Sequence, residues 1–257
     1  MRVIFHEAFH GSNYSHDPYD NAADPGRLVG VMAALREEGP YWVDVPAPAS
    51  RADLVRGHAE GHVAAIEQMP ARYEMAALAA GAAALAAERA MQGEAAFACV
   101  RPPGHHASRT TAWGHCTFSN VALALLRLRD LGRIRSALVV DFDLHTGDGT
   151  VDVLRPWPEA RVFNGYGNNA AEYLRILEEY LAAAGPADIL AVSAGFDGYT
   201  HDLGRKLATP DYQGIGELLK AYALRQGHRR RFAVLEGGYY QPHLGRNVLA
   251  FCKGFDG

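Results

Sequence analysis

Ala137-Leu138-Val139-Val140-Asp141-Phe142-Asp143-Leu144-His145-Thr146-Gly147-Asp148 is the stretch on which the fold of this chain turns. An apolar run rich in β-branched residues predicts a buried strand, and the acids and histidine that follow it stand where open α/β sheets place their ligands. Three further apolar runs end the same way. Ala95 to Val100 leads into Arg101-Pro102-Pro103-Gly104-His105-His106, Asp188 to Ser193 into Ala194-Gly195-Phe196-Asp197, and Arg231 to Leu235 into Glu236-Gly237-Gly238-Tyr239. Four strand ends converging on His, Asp and Tyr describe one metal-assisted active site.

Between these runs lie helical segments: Arg72 to Met91, a helix that Ser119 can cap and that runs to about Leu131, Ala170 to Ala184, and Asp211 to Gln226. Arg161-Val162-Phe163 is a shorter strand candidate, and Met1 to His6 looks like a first strand, its apolar core too short for a signal peptide. Strand and helix in alternation predict an α/β fold with parallel pairing and right-handed crossovers, so that all carboxyl ends share one edge. A closed barrel of eight strands is hard to reach in 257 residues with helices this long, which favours the open sheet. No linker or repeat interrupts the chain and the motifs spread from His105 to Tyr239, so residues 1–257 read as a single domain. The segment from His10 to Pro25 lacks apolar periodicity and reads as a long loop of the kind that often carries function.

A net charge of -4 gives no general attraction to nucleic acid or to anionic membranes. The basic run Arg225 to Arg231, with His228 inside it, reads as a solvated helix end. The Ala-rich run Ala76 to Ala87 is too short to span a bilayer and reads as a packed helix. Three cysteines, Cys99, Cys116 and Cys252, without C-x-x-C spacing, suggest neither a disulfide framework nor a cysteine zinc site and fit a reducing, cytoplasmic compartment.

Asp143 and His145 are two apart at one strand end and Asp197 arrives from another, giving an imidazole and two carboxylates that suit a divalent transition metal with open positions. The adjacent His105 and His106 can divide the proton work, one carrying a proton while the other supports charge; either can alternatively bind metal. Asp141 and Asp148 are the available carboxylates to orient them. Tyr239 follows two glycines that let the backbone approach closely, so its hydroxyl can stabilise an oxyanion, with Tyr240 as a competitor.

Arg101 to Ala107 (RPPGHHA), Gly114-His115-Cys116 with Ser119-Asn120, Asp141 to Thr150 (DFDLHTGDGT), Ala194 to Asp197 and Leu235 to Tyr239 (LEGGY) together resemble the histone deacetylase family. That family includes acetylpolyamine amidohydrolases and shares the arginase-like fold. The resemblance covers most of the chain from Tyr73 onward and implies a three-layer α/β/α domain with one mainly parallel sheet. It implies one zinc ion bound by Asp143, His145 and Asp197, His106 as general base and then acid, His105 as electrostatic support, and Tyr239 polarising the acyl carbonyl. It further implies that Asp141 pairs with His105 and Asp148 with His106, and that backbone carbonyls around Asp141 to His145 can hold a potassium ion. Arg27 resembles an arginine lining the channel for the released acid, although the histidine and glutamate usual before it are replaced around Asn21-Ala22-Ala23.

The departures bear on substrate. Position 146 is Thr where the family commonly has a second histidine, outside the proposed ligand set. His115 stands beside Gly114 where an aromatic normally walls the acyl-lysine tunnel. The stretch between Asp148 and Ala187 is short, with only Tyr166 as a substitute aromatic, and the loop before Tyr73 is cut down to Glu67 to Ala71. The mouth is therefore expected to be wide and polar. The function implied is zinc-dependent hydrolysis of the amide of an acylated primary amine (acetyl-lysine, an acetylpolyamine or a small acylated amine) by metal-activated water. The alternatives are another metal-dependent amidohydrolase of the arginase-like fold or a non-catalytic relative that binds an acylated ligand. An arginase-type pair of metals would need D-x-H-x-D, and the residue two after His145 is Gly147.

Overall fold

The computed structural model describes every residue except Ser12, His16 and Pro40. Positions 12 and 16 belong to the loop from His10 to Pro25, so that part of the loop expectation lies outside the described residues.

Strands β1 (Arg2–Ile4), β2 (Trp42–Asp44), β3 (Ala96–Ala98), β4 (Ala137–Asp141), β5 (Ala160–Asn164), β6 (Leu190–Ala194) and β7 (Arg231–Leu235) form a seven-stranded sheet in the order β2-β1-β3-β7-β6-β4-β5. Every neighbouring pair is parallel. The strands β3, β4, β6 and β7 are buried along their whole length, as near-continuous apolar runs covered on both faces must be. These four are also contiguous in the sheet: β7 and β6 fill the space between β3 and β4, so the four motif-bearing carboxyl ends meet at one point of one edge.

Helices cover both faces, giving three layers. On one side α1 (Val29–Glu38), α7 (Ala170–Ala183), α8 (Thr209–Arg225) and α9 (Gln241–Phe255) pack in the spatial order α1, α9, α8, α7; on the other, α4 (Pro70–Met91) and α5 (Asn120–Asp130) lie together, joined by the shorter α2 (Arg51–Leu54), α3 (Glu60–Glu67) and α6 (Asp148–Leu154). The alanines of α4 from Ala76 to Ala90 are mostly buried, so the Ala-rich run is a packed helix as read. Short side chains let its axis come close to the sheet, and Ala costs no rotamer entropy. Among the described residues, no helix is long and apolar enough to cross a membrane.

Two local expectations are corrected, and one helix lies outside them. Ser119 does not cap α5 with its side chain; its buried Oγ has no hydrogen-bond partner, while its backbone N–H donates to His58 Nε2 at 2.9 Å. The basic run is not simply a solvated helix end, because Arg231 is buried in β7, where its Nε donates to the Phe255 carbonyl at 2.8 Å and answers the unpaired end of α9. Helix α6, which begins at Asp148 itself, has too few residues for a visible period and was not anticipated. The amino-terminal segment contains short 3-10 turns at Glu7–His10 and Asn21–Ala23 and buries Tyr14, Asp20, Ala22 and Ala23, while Asn13 and Asp17 to Tyr19 are exposed.

Candidate active site

Beyond β4 the chain folds back on its own carboxylates. Asp143 N–H donates to Asp141 Oδ1 at 3.1 Å, and His145 N–H donates to Asp143 Oδ1 at 3.0 Å. Asp143 Oδ2 accepts Gly237 N–H from the turn after β7 at 2.9 Å, and Asp197 Oδ1, beyond β6, accepts Leu144 N–H at 2.9 Å. Backbone amides from the ends of β4 and β7 thus hold Asp143 and Asp197 in place. Gly195 and Gly237 are required by this approach: a Cβ on either would lie 2.1 Å and 2.5 Å from Asp143 Oδ2.

One donor atom from each of Asp143, His145 and Asp197 lies within 4.8 Å of the others. His145 Nδ1 is 3.2 Å from Asp143 Oδ1 and 2.9 Å from Asp197 Oδ2, yet that last oxygen, buried, makes no hydrogen bond. Burial and the neighbouring Asp143 raise Asp197 to about 6, while the two carboxylates raise His145 to about 10. Burial would raise Asp143 too, but His105, His145 and Gly237 overcome it and hold this carboxyl well below the usual range. The three groups want a cation among them, and an orphaned buried oxygen beside an imidazole and a second carboxylate fits a divalent transition metal.

The two adjacent histidines are brought to this cluster with different partners. His105 Nδ1 lies 3.1 Å from Asp141 Oδ2 and its Nε2 3.7 Å from Asp143 Oδ1; burial disfavours its cation, but Asp143, Asp141 and Glu236 outweigh that and raise it well above its ordinary value. His106 Nδ1–H donates to Asp148 Oδ1 at 2.7 Å, and burial together with the charge of His105 lowers it to about 4. With ring centroids 4.0 Å apart, one imidazole is thus biased toward its cation and the other toward the neutral form. Glu236 anchors the backbone of this pair: Oε2 accepts Gly104 N–H at 2.6 Å and His105 N–H at 3.1 Å, Oε1 has no partner, and burial raises the acid to about 7.

Tyr239 borders the same cleft, of about 180 Å³, with His105, His106 and His145. Its backbone N–H and that of Tyr240 both donate to Asp202 Oδ2, at 2.6 Å and 2.7 Å, which turns Tyr240 outward onto His201 and His243 and leaves Tyr239 to face inward. Arg27 is buried against the Tyr239 ring, 5.4 Å from its centroid; Nε and Nη2 donate to the carbonyls of Gly238 and Glu236, and Nη1 is buried without a partner. Gly114, at φ +59°, and His115 line the cleft as expected, the His115 ring 5.3 Å from that of Tyr239. Tyr166 does not: it is 63% exposed, leans on Phe163 and is absent from the wall. Trp113 is an aromatic of the wall instead, and Leu203 also lines it. Sequence reasoning passed over both, as well as Asp20, which pairs with His115 Nδ1 at 2.8 Å and with Arg72 at 3.0 Å. An indole directly before Gly114-His115-Cys116 was the available signal for Trp113; nothing in the local pattern marks Asp20 or Leu203.

The model for the histone deacetylase domain matches residues 21–173. A probable deacetylase of Methanothermobacter thermautotrophicus is 30% identical, with 96% of this chain and 90% of the relative aligned. Acetylpolyamine amidohydrolase 2 of Pseudomonas aeruginosa is 29% identical over 66% of this chain and 58% of its own. Among solved structures, the HD domain of HDA15 superposes with a TM-score of 0.83 at 24% identity, covering 98% of this chain and 88% of the other, a likeness that concerns the fold.

Proposed function

The chain belongs to the histone deacetylase family, and on that premise we propose that it is a zinc-dependent deacetylase that hydrolyses the amide of an acylated primary amine. The observation that carries this reading is the placement of the Asp143, His145 and Asp197 donors within 4.8 Å of one another, beside two His–Asp pairs biased to opposite protonation states. The seven strands in one sheet and the four loops at one cleft support reading residues 1–257 as one catalytic domain.

Asp143, His145 and Asp197 would hold the zinc ion, which when bound polarises a carbonyl and lowers the pKa of water to about 7. His106 is tied through Nδ1 to Asp148, so Nε2 is the face that takes a proton and returns it to the departing amine. His105, hydrogen-bonded through Nδ1 to Asp141, supports negative charge that develops beside it. The Tyr239 hydroxyl donates to the oxygen of the acyl group as it becomes anionic, and Arg27 below it offers its free Nη1 to the carboxylate product. A potassium ion near the backbone of Asp141 to His145 belongs to the same proposal; Ser193, the register partner of Asp141, has a buried, unpartnered Oγ there.

The relative named as an acetylpolyamine amidohydrolase and the polar His115–Asp20 pair support a substrate range that includes acetylpolyamines and small acylated amines beside acetyl-lysine. A cytoplasmic setting fits three free, buried cysteines. Metal-loaded protein screened against acetyl-lysine peptides, acetylpolyamines and small amides tests the reading. Release of acetate that is abolished by a chelator and restored by zinc is expected; ligand binding without turnover would replace the enzyme by a binding protein.

A further inference from the structure

The loop that follows His106 brings an indole back over it. Trp113 is half exposed, yet its ring lies on the His106 imidazole with centroids 3.6 Å apart and planes 32° apart. Its Nε1–H donates to Asp148 Oδ2 at 2.9 Å, while the other oxygen of that carboxylate accepts from His106 Nδ1–H at 2.7 Å. One side chain therefore touches both members of the His106–Asp148 pair, ring on imidazole and N–H on carboxylate.

The two His–Asp pairs of the cleft show why this contact matters. Asp141, partner of His105, is buried in β4 and locked by the Asp143 amide. Asp148, partner of His106, begins α6 with its side chain 52% exposed. A carboxylate open to water turns among rotamers and shares its acceptor capacity with solvent, so the imidazole it orients is not fixed. A second charge-assisted hydrogen bond, to the oxygen that His106 does not use, removes that freedom.

We propose that Trp113 is the positioning residue of the proton-carrying histidine: its indole N–H locks the Asp148 carboxylate toward His106, and its ring covers the His106 imidazole. The kinetic part of this proposal rests on the hydrolase reading above; the geometry does not. Trp113→Phe keeps a ring and loses the hydrogen bond, and Trp113→Ala loses both.

With metal content and melting behaviour checked to be those of the parent protein, Trp113→Phe lowers kcat roughly tenfold, the size expected for one charge-assisted hydrogen bond, with KM little changed. Trp113→Ala lowers it further. In an Asp148→Asn background the Trp113→Phe effect shrinks to about twofold or less, because the tryptophan acts through that carboxylate. The second readout needs no substrate. In the metal-loaded protein, the downfield proton on His106 Nδ1, assigned by its loss in His106→Ala, exchanges slowly with water and broadens in both Trp113 variants. A raised KM with unchanged kcat, additive effects with Asp148→Asn, or an undisturbed His106 proton would each overturn the proposal. If the parent protein hydrolyses no acylated amine, the deacetylase reading falls while the proton resonance still decides for or against Trp113.

Discussion

Asp143 and Asp20 are both buried carboxylates paired with a histidine that lines the same cleft, one at its floor and one at its rim. Asp143 is held by backbone amides of His145 and Gly237, which follow β4 and β7, the strands on either side of β6. Asp20 accepts the Ala23 amide at 3.2 Å, but its charge is answered by side chains, His115 from one loop and Arg72 from the start of α4. Burial would raise Asp20, and these partners overcome it and hold the acid below its usual range. Backbone supports are indifferent to side-chain identity, provided glycine stands where the chains approach. Side-chain supports change with every substitution. A floor of the first kind can keep one chemistry while a rim of the second kind is altered for different substrates.

The largest expected effect lies at the floor. Asp197→Ala removes the orphaned oxygen, so metal measured by atomic emission drops from one ion per chain to a small fraction, and turnover falls on the order of 1,000-fold or more. Full metal retention would show that the floor does not depend on Asp197 and that the ligand set is wrong.

Tyr239→Phe divides floor from rim more finely. Its ring still packs against Arg27 and His115, but the hydroxyl is lost, so kcat is expected to fall about 100-fold with metal content intact. Unchanged turnover would leave the carbonyl to the metal alone or move the role to Tyr240.

At the root of the rim, His58 pins both ends of the loop that carries Trp113 and His115. Its Nδ1–H donates to the Ser108 carbonyl at 2.8 Å and its Nε2 accepts Ser119 N–H at 2.9 Å, an arrangement available only to the neutral ring. Burial, with a smaller part from His62, lowers it to about 4. The unfolded chain then takes up the proton first, so stability is complete above pH 6.5 and is lost as pH falls from there toward 4, by about 3 kcal/mol in total. Urea unfolding of the parent and of His58→Gln at pH 7.5 and pH 4.5 is the measurement: the penalty of the substitution should shrink by most of that amount at the lower pH. A penalty equal at both pH values would remove His58 as the acid-sensitive support of the rim.

The smallest effect concerns the wall itself. The departure of His115 from an aromatic suggests that His115→Phe rebuilds a tunnel and improves turnover of an acetyl-lysine reporter, since an aromatic face buries the alkyl stem. The Asp20 contact adds a cost of about 1–2 kcal/mol in stability, because one partner of a buried carboxylate is removed. Asp20→Asn in the same protein should recover part of it. Neither a kinetic gain nor a stability loss in His115→Phe would reduce that imidazole to a passive rim residue.

The floor was legible because local pattern alone specifies it. Apolar runs mark strands that need no partner to be recognised, polar groups after them must emerge at the carboxyl edge, and a parallel sheet collects those edges. The glycines in Ala194-Gly195 and Gly237-Gly238 mark where two backbones close on one carboxylate. Even so, the contiguity of β3, β7, β6 and β4 followed only from the sheet order. Short elements escaped the reading: α6 offers barely two turns, too few for an apolar period to show. Tyr166 was the wrong aromatic because its distance from the cleft depends on how β5 and α7 pack, with its ring resting on Phe163 rather than on the mouth.

What the sequence determined by itself is the α/β class, the run of strand ends and the acids and histidines that each delivers, all consequences of periodicity and chain direction within a few residues. Which side chains close the mouth was decided by tertiary structure alone. Asp20 meets His115, Trp113 meets Asp148 and His58 meets Ser119 across separations that no local period constrains. Each such pair exists only because two loops, carried by different elements, come within hydrogen-bond reach once the layers have packed.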